Sequence, residues 1–352
     1  MAGMDEDILI WGSGAIGGTV GAYLKRSGHD VTFVDIVPEH VAAIRDPARG
    51  LAITGPVDAF TIVAPAFEPS ALEGKWTRVF LSVKAHHTEE ACRALEPHLA
   101  EDGYVLSLQN GLCEKIIARI VGPERTMGAF VNFGADWLKP GEIIYANRGA
   151  VVLGEIDGKM TPRLAKLHDE MKGFEPDAIT TPRIWSYLWG KLGYGSLLFA
   201  QALGNLGIAD CLARPELLPL WRRLAGEAVA VALAEGVEPL GFNGYDPKAF
   251  RPGASEEEAR RSVDAMVAFN RPNAKTHSGV WRDLAVRKRR TEVDVQIAPI
   301  AEIGKTHGIA CPAVEGLVAM IHEIEDGKRA LSDANLDELA RLADSAASLP
   351  PG

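Results

Sequence analysis

The chain has 352 residues, 47% of them hydrophobic and 24% charged, which is an ordinary globular composition with enough apolar material for two domain cores. Its net charge of −10 argues against a nucleic-acid-binding surface and against binding to an anionic membrane. The 4 cysteines are scattered without a C-x-x-C pair, which indicates free thiols in a reducing compartment rather than a disulfide framework.

Two stretches bear on where the protein works. The acidic beginning of the sequence is the reverse of a signal peptide. Residues 192–209 carry no charge, but their glycines, together with Gln201 and Asn205, favour a helix buried between domains over a membrane span. We therefore expect a soluble cytoplasmic protein.

The first predicted elements are a strand, a glycine-rich turn, a helix and a second strand. Residues 8–11 are a short apolar run typical of a buried strand, and Gly12, Gly14 and Gly17 follow as G-x-G-x-x-G. Apolar residues at helical spacing come next. Gly12 permits a tight turn, Gly14 lets a pyrophosphate approach the backbone, and Gly17 lets the helix pack closely on the strand. This context predicts a dinucleotide-binding loop.

The N-terminus of that helix is the predicted phosphate site. Its unpaired N–H groups and positive dipole end favour phosphate, so Ser13, Ala15 and Ile16 are expected to bind the cofactor with the three glycines. A second strand at 31–34 ends at Asp35, whose carboxylate can accept hydrogen bonds from the ribose hydroxyls and repel a 2′-phosphate. NAD(H) is therefore expected in preference to NADP(H). The alternative is that Asp35 is only an exposed acid at a strand end.

Strands and helices continue to alternate in the rest of the N-terminal half. The patterns predict a helix at 38–44, an edge hairpin over 51–64, a strand at 78–83, a helix at 88–99 with Thr88 as its N-cap, a strand at 104–108, a helix at 114–120, antiparallel strands at 126–133, 141–145 and 150–153 that complete the sheet, a helix at 162–171 and a last strand at 178–180. The fold class is therefore α/β, with a Rossmann-type dinucleotide-binding domain over residues 1–182.

From residue 184 onward no convincing strand is evident. Helices are predicted at 183–204, 215–235, 255–269 with a capping box of Ser255 and Glu258, 283–307 and 312–327, and a small one at 335–347. The second domain is thus all-helical over 183–332, and 333–352 is a C-terminal tail that ends in a frayed segment at 349–352. Because ligands bind at the carboxyl ends of parallel strands, we expect the chemistry in the cleft between the two domains.

Further short stretches have an ordered spacing. They are LSVKA at 81–85, QNGL at 109–112, WGKL at 189–192, TEVD at 291–294 and HGIACP at 307–312. In this order and spacing the chain resembles the ketopantoate reductase family, 2-dehydropantoate 2-reductase and its relatives, over about residues 8–325. The resemblance implies a Rossmann-type domain followed by a helical domain of the 6-phosphogluconate dehydrogenase C-terminal type, and a homodimer.

The same resemblance implies hydride transfer between a nicotinamide and a small-molecule 2-oxo or 2-hydroxy acid. Lys191 would be the general acid/base that protonates the carbonyl oxygen, and Glu292 would bind the substrate hydroxyl or the lysine. Asn110 would hold the nicotinamide side of the site, and Lys84 would approach the ribose or nicotinamide. Ser278 lies near the serine that the family presents to the substrate carboxylate.

Each of these residues also has a structural alternative. Lys191 can extend to the surface from an apolar helix, Glu292 can form an i,i−4 salt bridge on a helix, and Asn110 can cap a turn. The basic run at 287–290 is typical of a solvated helix face, although it could reach cofactor phosphates or a substrate carboxylate. The adjacent histidines at 86 and 87 point in different directions, and no metal site is predicted.

One departure from the family concerns the substrate. Its ketopantoate-specific members carry asparagines four and eight residues after the lysine, on the lysine's own helix face, where this chain has Gly195 and Phe199. We therefore expect an oxidoreductase for a less polar or bulkier 2-oxo or 2-hydroxy acid. The alternatives are an authentic 2-dehydropantoate 2-reductase and a non-catalytic NAD-binding redox sensor.

Overall fold

The computed structural model describes residues 7–273 and 276–347 of the chain. The chain divides into two compact units, Met1–Ile184 and Trp185–Gly352. The acidic start of the sequence and the frayed tail at 349–352 lie outside the described residues.

A mainly parallel sheet is the centre of the first unit. The strands of this unit are β1 (Ile8–Trp11), β2 (Val31–Val34), β3 (Leu51–Thr54), β4 (Phe60–Ile62), β5 (Ala66–Phe67), β6 (Trp76–Leu81), β7 (Leu99–Ser107), β8 (Thr126–Val131), β9 (Gly134–Lys139), β10 (Glu142–Asn147), β11 (Val151–Glu155) and β12 (Ile179–Thr180). Among the described residues, eight of these strands form one sheet in the order β12-β11-β8-β7-β6-β1-β2-β5. Only the β8–β11 pairing in it is antiparallel.

Helices cover both faces of this sheet. They are α1 (Ala15–Arg26), α2 (Pro38–Arg45), α3 (Thr88–Leu95), α4 (Cys113–Val121) and α5 (Pro162–Met171). Alternate residues of β1 belong to different apolar clusters, Ile8 and Ile10 to one and Leu9 and Trp11 to the other. Because both faces are buried, the central strands read as continuous apolar runs. The predicted Rossmann-type α/β fold is confirmed.

The prediction for residues 141–145 was wrong in one respect. β10 does not complete the main sheet; it pairs with β3 and with β9 in a separate sheet of order β4-β3-β10-β9. Ile143 and Tyr145 are buried in the apolar cluster that contains Ile8 and Ile10, whereas their neighbours along the strand are more accessible. A strand buried on only one face suits a small sheet at the side of a domain.

The second unit is helical. Its helices are α6 (Ile184–Gln201), which begins at the unit boundary, α7 (Ile208–Leu212), α8 (Leu218–Ala234), α9 (Glu256–Asn270), α10 (Gly279–Trp281), α11 (Val293–Gln296), α12 (Ala298–Thr306), α13 (Pro312–Glu325) and α14 (Ala334–Ala347). The predicted capping box of Ser255 and Glu258 is present at α9. The part of this unit that the structure describes contains one isolated bridge, Phe242 to Tyr245, and no strand.

The single helix predicted over 283–307 was also wrong. A π-helix at Arg282–Arg287 ends at Lys288, which has a left-handed backbone with φ of 52°, and helical structure resumes only at α11. The Asp283 carboxylate accepts from Arg287 and from Arg289, at 2.8 and 3.0 Å, and the Arg289 N–H donates to the Asp283 carbonyl. The chain therefore curls around Asp283 instead of continuing the helix.

The small helix predicted at 335–347 is present as α14, within the segment 333–352 that was assigned to a C-terminal tail. Leu336 and Leu339 are fully buried, and the helix packs on α13. This segment is therefore part of the helical unit.

Candidate active site

The glycine-rich loop lies where the strand order of the first unit reverses. The chain leaves β1 for β2 on one side, and β6 pairs with β1 on the other. This reversal is the position at which open α/β sheets bind ligands. Gly12 directly follows β1 and has φ of +93°, and a Cβ there would lie 2.8 Å from the backbone nitrogen of Val83. Only glycine fits this turn.

The other two glycines of the loop differ in what surrounds them. A Cβ on Gly17 would overlap the Ser82 hydroxyl and the Gly12 carbonyl, so this glycine is required by packing within the protein. A Cβ on Gly14 would meet nothing within 4 Å. The space at Gly14 is what a pyrophosphate approaching the backbone needs.

The N-terminus of α1 is uncapped. Its N-cap is Gly14, no side chain accepts from its first N–H groups, and its first turn contains no acidic residue. The free N–H groups and the positive dipole end, which include the backbone of Ala15 and Ile16, are therefore available to phosphate oxygens. The residues present fit the diphosphate of a dinucleotide.

Asp35 is held against this loop. One of its oxygens, Oδ2, accepts from the Ser13 backbone N–H at 2.8 Å and from the Ser13 hydroxyl at 2.9 Å. The other oxygen, Oδ1, accepts from the Val37 N–H at 3.1 Å. Three hydrogen bonds fix the carboxylate at the end of β2, and a carboxylate with about four acceptor positions keeps one for a further donor.

His40 fixes the same loop from the other side, and sequence reasoning missed it. Its Nδ1 lies 2.9 Å from the Gly141 N–H, which must donate, so Nδ1 accepts. The proton is then on Nε2, which donates to the Ser13 carbonyl at 2.8 Å. The ring is 1% exposed. Ser13 is thus held through its N–H, hydroxyl and carbonyl, and the loop conformation exists before any ligand arrives.

Lys84 and Asn110 follow the carboxyl ends of the neighbouring strands β6 and β7, and both are exposed. Buried Gln109 links these two loops, because its side-chain amide donates to the Val83 carbonyl at 2.9 Å and to the Thr88 hydroxyl at 2.8 Å. Thr88 is the first residue of α3 and donates to the Ala85 carbonyl, so its predicted role as an N-cap was wrong. The structure brings Gly12, Lys84 and Asn110 to one edge of the sheet.

Lys191 lies on a partly accessible stripe of α6. Tyr187, Lys191, Gly195 and Leu198 are less buried than the residues between them and recur at helical spacing. Trp189 anchors the helix in the core and is 1% exposed. The stripe supports a lysine directed away from the core of the second unit.

The segment that carries Glu292 packs near this stripe. A Cβ on Gly195 would lie 3.8 Å from Ile297 Cδ1, so the residue that follows α11 lies beside this face of α6. Thr291 is anchored on α13, because its N–H and hydroxyl donate to the buried carboxylate of Glu325 at 2.7 and 2.8 Å. The next residue, Glu292, is the N-cap of α11. Since residues 288–292 are not helical, the alternative of an i,i−4 helical salt bridge at Glu292 is wrong.

The remaining predicted substrate residues differ in accessibility. Phe199 is 3% exposed and contributes to the core of the second unit. Ser278 is buried and caps α10 by accepting from the Trp281 N–H at 3.1 Å. Its hydroxyl hydrogen remains to be donated. Among the described residues, no group of three His, Cys, Asp or Glu side chains could hold a metal ion.

Comparison with known proteins decides the family. The profile described as "Ketopantoate reductase PanE/ApbA" matches residues 8–158, and "Ketopantoate reductase PanE/ApbA C terminal" matches residues 183–325. The chain belongs to the ketopantoate reductase family. Members of this family are oxidoreductases, so the predicted family and reaction class are confirmed. In the described part of the chain, no helix is long and apolar enough to cross a membrane.

Several relatives of the ketopantoate reductase family resemble this member along most of its length. The chain is 27% identical over 324 residues to a 2-dehydropantoate 2-reductase of Archaeoglobus fulgidus, covering 92% of this chain and 99% of that protein. A 2-dehydropantoate 2-reductase of Aquifex aeolicus is 26% identical over 328 residues, with 89% and 95% covered.

Solved structures of relatives share the fold. A PanE/ApbA family ketopantoate reductase from Ralstonia eutropha has a TM-score of 0.75 at 27% identity, covering 92% of this chain and 99% of that one. The ternary structure of D-mandelate dehydrogenase with NADH and anilino(oxo)acetate has a TM-score of 0.77 at 23% identity, with 91% and 99% covered. At that identity the second likeness shows the fold alone.

Proposed function

We propose that this protein transfers hydride between NAD(H) and a 2-oxo or 2-hydroxy acid, with Lys191 as the general acid/base. The observation that carries the proposal is the position of Ile297, whose Cδ1 would lie 3.8 Å from a Cβ on Gly195, because it supports a Glu292 segment near the helix face that bears Lys191. Glu292 is 101 positions from Lys191 in the sequence, and a structural salt bridge on one helix does not explain it. The bound nicotinamide supplies or accepts the hydride.

The side chains of the second unit act on the oxygen of the substrate. Negative charge develops on a ketone oxygen as hydride arrives, so a cation beside it lowers the barrier and can deliver the proton. Lys191 is assigned this task. Glu292 orients the lysine or binds the substrate hydroxyl, and Ser278 donates its free hydroxyl hydrogen to the substrate carboxylate.

The side chains of the first unit select and orient the cofactor. Gly12, Ser13, Gly14, Ala15, Ile16 and Gly17 bind the diphosphate, and Lys84 and Asn110 bind on the nicotinamide side. Asp35 has one remaining acceptor position, and we assign it to a ribose hydroxyl of NAD. A 2′-phosphate at that position would meet the carboxylate, which supports NAD over NADP.

The substrate we propose is less polar or bulkier than ketopantoate. Gly195 leaves room for a Cβ on the Lys191 face but has no side chain to bind the terminal hydroxyl of ketopantoate. Phe199 cannot bind that hydroxyl either, and it lies in the core of the second unit instead of on the accessible stripe. Ser196 does not compensate, because its hydroxyl is buried and donates to the Gly193 carbonyl at 2.7 Å. The second candidate function, an authentic 2-dehydropantoate 2-reductase, is favoured by the names of the curated relatives. The proposed assembly is a homodimer in the cytoplasm.

Lys191→Ala tests the catalytic assignment. We expect kcat to fall by about 10²–10⁴, the usual contribution of general acid/base catalysis, with the Kd for NADH nearly unchanged. The matched control is Lys305→Ala, since Lys305 is an exposed lysine of the same unit whose ion pair is with Glu315. An unchanged kcat in Lys191→Ala on the best substrate would contradict the role.

A panel assay separates the candidate functions. Initial rates with NAD and 2-hydroxy acids, and with NADH and ketopantoate beside aliphatic and aromatic 2-oxo acids, give kcat/KM for each. Turnover of an apolar acid above ketopantoate supports the proposal. Ketopantoate as the best substrate supports the second candidate, and NADH binding without turnover of any acid supports a redox sensor.

A further inference from the structure

The second unit contains a cavity of about 510 Å³ that the proposed reaction does not use. One wall is a face of α8, on which Arg222, Gly226 and Ala230 recur every four residues. The others are residues 249–254 and the segment Ile309–Ala310 that leads into α13. Glycine and alanine on the α8 face leave room that larger side chains would fill. Neither Lys191 nor Glu292 lines this cavity.

Three arginines line the cavity of a protein whose net charge is −10. Arg222 donates to the Ala254 carbonyl at 2.9 Å, which holds its guanidinium without neutralising it. Arg223 forms no ion pair with a residue that the structure describes. Arg251 pairs with Glu238 at 2.6 Å, yet its buried Nε–H has no acceptor among the described residues. The cavity therefore combines two arginines that form no ion pair with a described residue, Arg222 and Arg223, with the buried Nε–H of Arg251, which lacks an acceptor there.

The one carboxylate in the lining is already engaged. Glu227 accepts from the backbone N–H groups of Ala313 and Val314, at 3.1 and 2.9 Å, at the start of α13. Burial raises the pKa of Glu227 and the nearby charge of Arg223 opposes that rise, so this carboxylate offsets part of one arginine's charge. Among the described residues, Glu227 forms no ion pair with any of the three arginines.

We propose that this cavity binds a compact organic dianion, a phosphomonoester or a dicarboxylate. Guanidinium groups present forked donors that match phosphate and carboxylate oxygens, and an acceptor from the ligand would complete the Arg251 Nε–H. The volume lies in the range of small-molecule sites. A nucleotide base is disfavoured, because the ring of Phe250, the aromatic residue of the lining, is stacked on Tyr245 with centroids 5.4 Å apart.

The experiment measures binding to the full chain saturated with NADH, so that the glycine-rich loop is occupied. Inorganic phosphate, 2-phosphoglycolate and malonate are titrated by calorimetry and by thermal denaturation, with NaCl at equal ionic strength as the reference. At 100 times the Kd, the bound ligand should raise the Tm by about 5–10 °C. Saturation by 2-phosphoglycolate identifies a phosphomonoester site, and saturation by malonate a dicarboxylate site. No saturable binding of any of the three overturns the proposal.

Variants locate the binding. Arg223→Met keeps the alkyl stem and disturbs no ion pair, and we expect it to weaken the Kd at least about tenfold, as for loss of a charge-assisted hydrogen bond. Arg261→Met is the matched control, because Arg261 is exposed on α9 and pairs only with Glu257 there. The binding must also persist in Lys191→Ala, which separates it from occupation of the proposed substrate site. Equal Kd values in Arg223→Met and wild type would refute the site.

Discussion

The glycines of the loop at residues 12–17 differ in what excludes a side chain from their positions. Gly12 and Gly17 are required by the protein itself, one through its positive φ and the other through close packing. The protein places nothing within 4 Å of a Cβ at Gly14, which leaves the space that the proposed diphosphate needs. The motif predicted all three positions because their spacing is local. The partners of Ser13 are 22 and 27 residues away, Asp35 and His40, and no local pattern marks them.

His40→Leu should weaken cofactor binding without changing the chemical step. Leucine leaves the Ser13 carbonyl and the Gly141 N–H without their buried partner, at a cost of about 1–3 kcal/mol. We expect the Kd for NADH to rise about 5- to 150-fold and kcat at saturating NADH to stay within about twofold. Fluorescence titration and steady-state kinetics measure the two quantities.

The control for that prediction is His40→Gln. A glutamine amide can donate to the Ser13 carbonyl and accept from the Gly141 N–H, which are the two bonds that His40 makes. Recovery of most of the NADH affinity would show that these hydrogen bonds matter. If Gln and Leu weaken binding equally, ring packing and not hydrogen bonding explains the effect.

Gly195→Asn should improve activity with ketopantoate. A Cβ at this position meets only Ile297 Cδ1 at 3.8 Å, an ordinary contact, and asparagine is no worse than glycine within a helix. An amide here can bind the substrate hydroxyl that the natural residue leaves unpaired, so kcat/KM for ketopantoate should rise about 5- to 150-fold. Gly195→Ala fills space without a polar group and should give no such rise. Equal effects of Asn and Ala would contradict the assignment of Gly195 to the substrate pocket.

At the scale of helices and strands, the local sequence patterns predicted which elements exist better than where they end or which strands they pair with. α1, α2, α5 and the capped α9 agree with their predicted positions, because their signals lie within the helix itself. The helix predicted over 283–307 failed because its break depends on the Asp283 carboxylate gathering Arg287 and Arg289. The composition of the basic run at 287–290 is typical of a helix, but its arginines form ion pairs with Asp283, Glu325 and Asp326. These pairs accompany the bend in the backbone. The pairing of β10 with β3, which lies some 90 residues earlier, likewise depends on tertiary contacts that a local pattern does not reveal.

The junction of α8 and α13 should make stability depend on pH. Glu227 is 6% exposed, and burial raises its pKa to about 7, against two backbone N–H bonds from Val314 and Ala313 that lower it. Because the folded pKa exceeds the unfolded one, this residue stabilises the fold fully below about pH 4.5, and the contribution is lost as pH rises through about 7. The loss should be about 3 kcal/mol, since the pKa rises from 4.5 to about 7 at about 1.4 kcal/mol per pKa unit.

Glu227→Gln isolates that contribution. Glutamine is uncharged throughout, so the unfolding free energy of wild type relative to Glu227→Gln should fall between about pH 4.5 and about pH 7, the two pKa values. Denaturant unfolding at several pH values measures it. A difference that is constant with pH would mean that Glu227 has the same pKa in the folded and unfolded states, so that the two N–H bonds cancel the effect of burial.

At the scale of the whole molecule, two sources of charge bear on the choice of cofactor. The net charge of −10 would repel the extra phosphate of NADP(H) at long range, whereas Asp35 is proposed to act by contact at the end of β2. The motif predicted the effect of Asp35 from the sequence, and the net charge was not used for that prediction. The three hydrogen bonds that fix the Asp35 carboxylate could not be predicted, because they depend on how the loop folds back onto β2.

Salt separates these two contributions. The Debye length falls from about 14 Å at 50 mM to about 6 Å at 300 mM ionic strength, so long-range repulsion is screened and the contact is not. We expect NADH to bind about 10- to 100-fold more tightly than NADPH, equivalent to about 1.4–2.7 kcal/mol, and the ratio to persist at 300 mM.

Asp35→Asn should reduce the ratio at both salt concentrations, since it removes the charge but keeps an acceptor for Ser13. Fluorescence titration of both reduced cofactors measures it. A preference that disappears at high salt would assign selectivity to the net charge, and tighter binding of NADPH would exclude Asp35 as the selector.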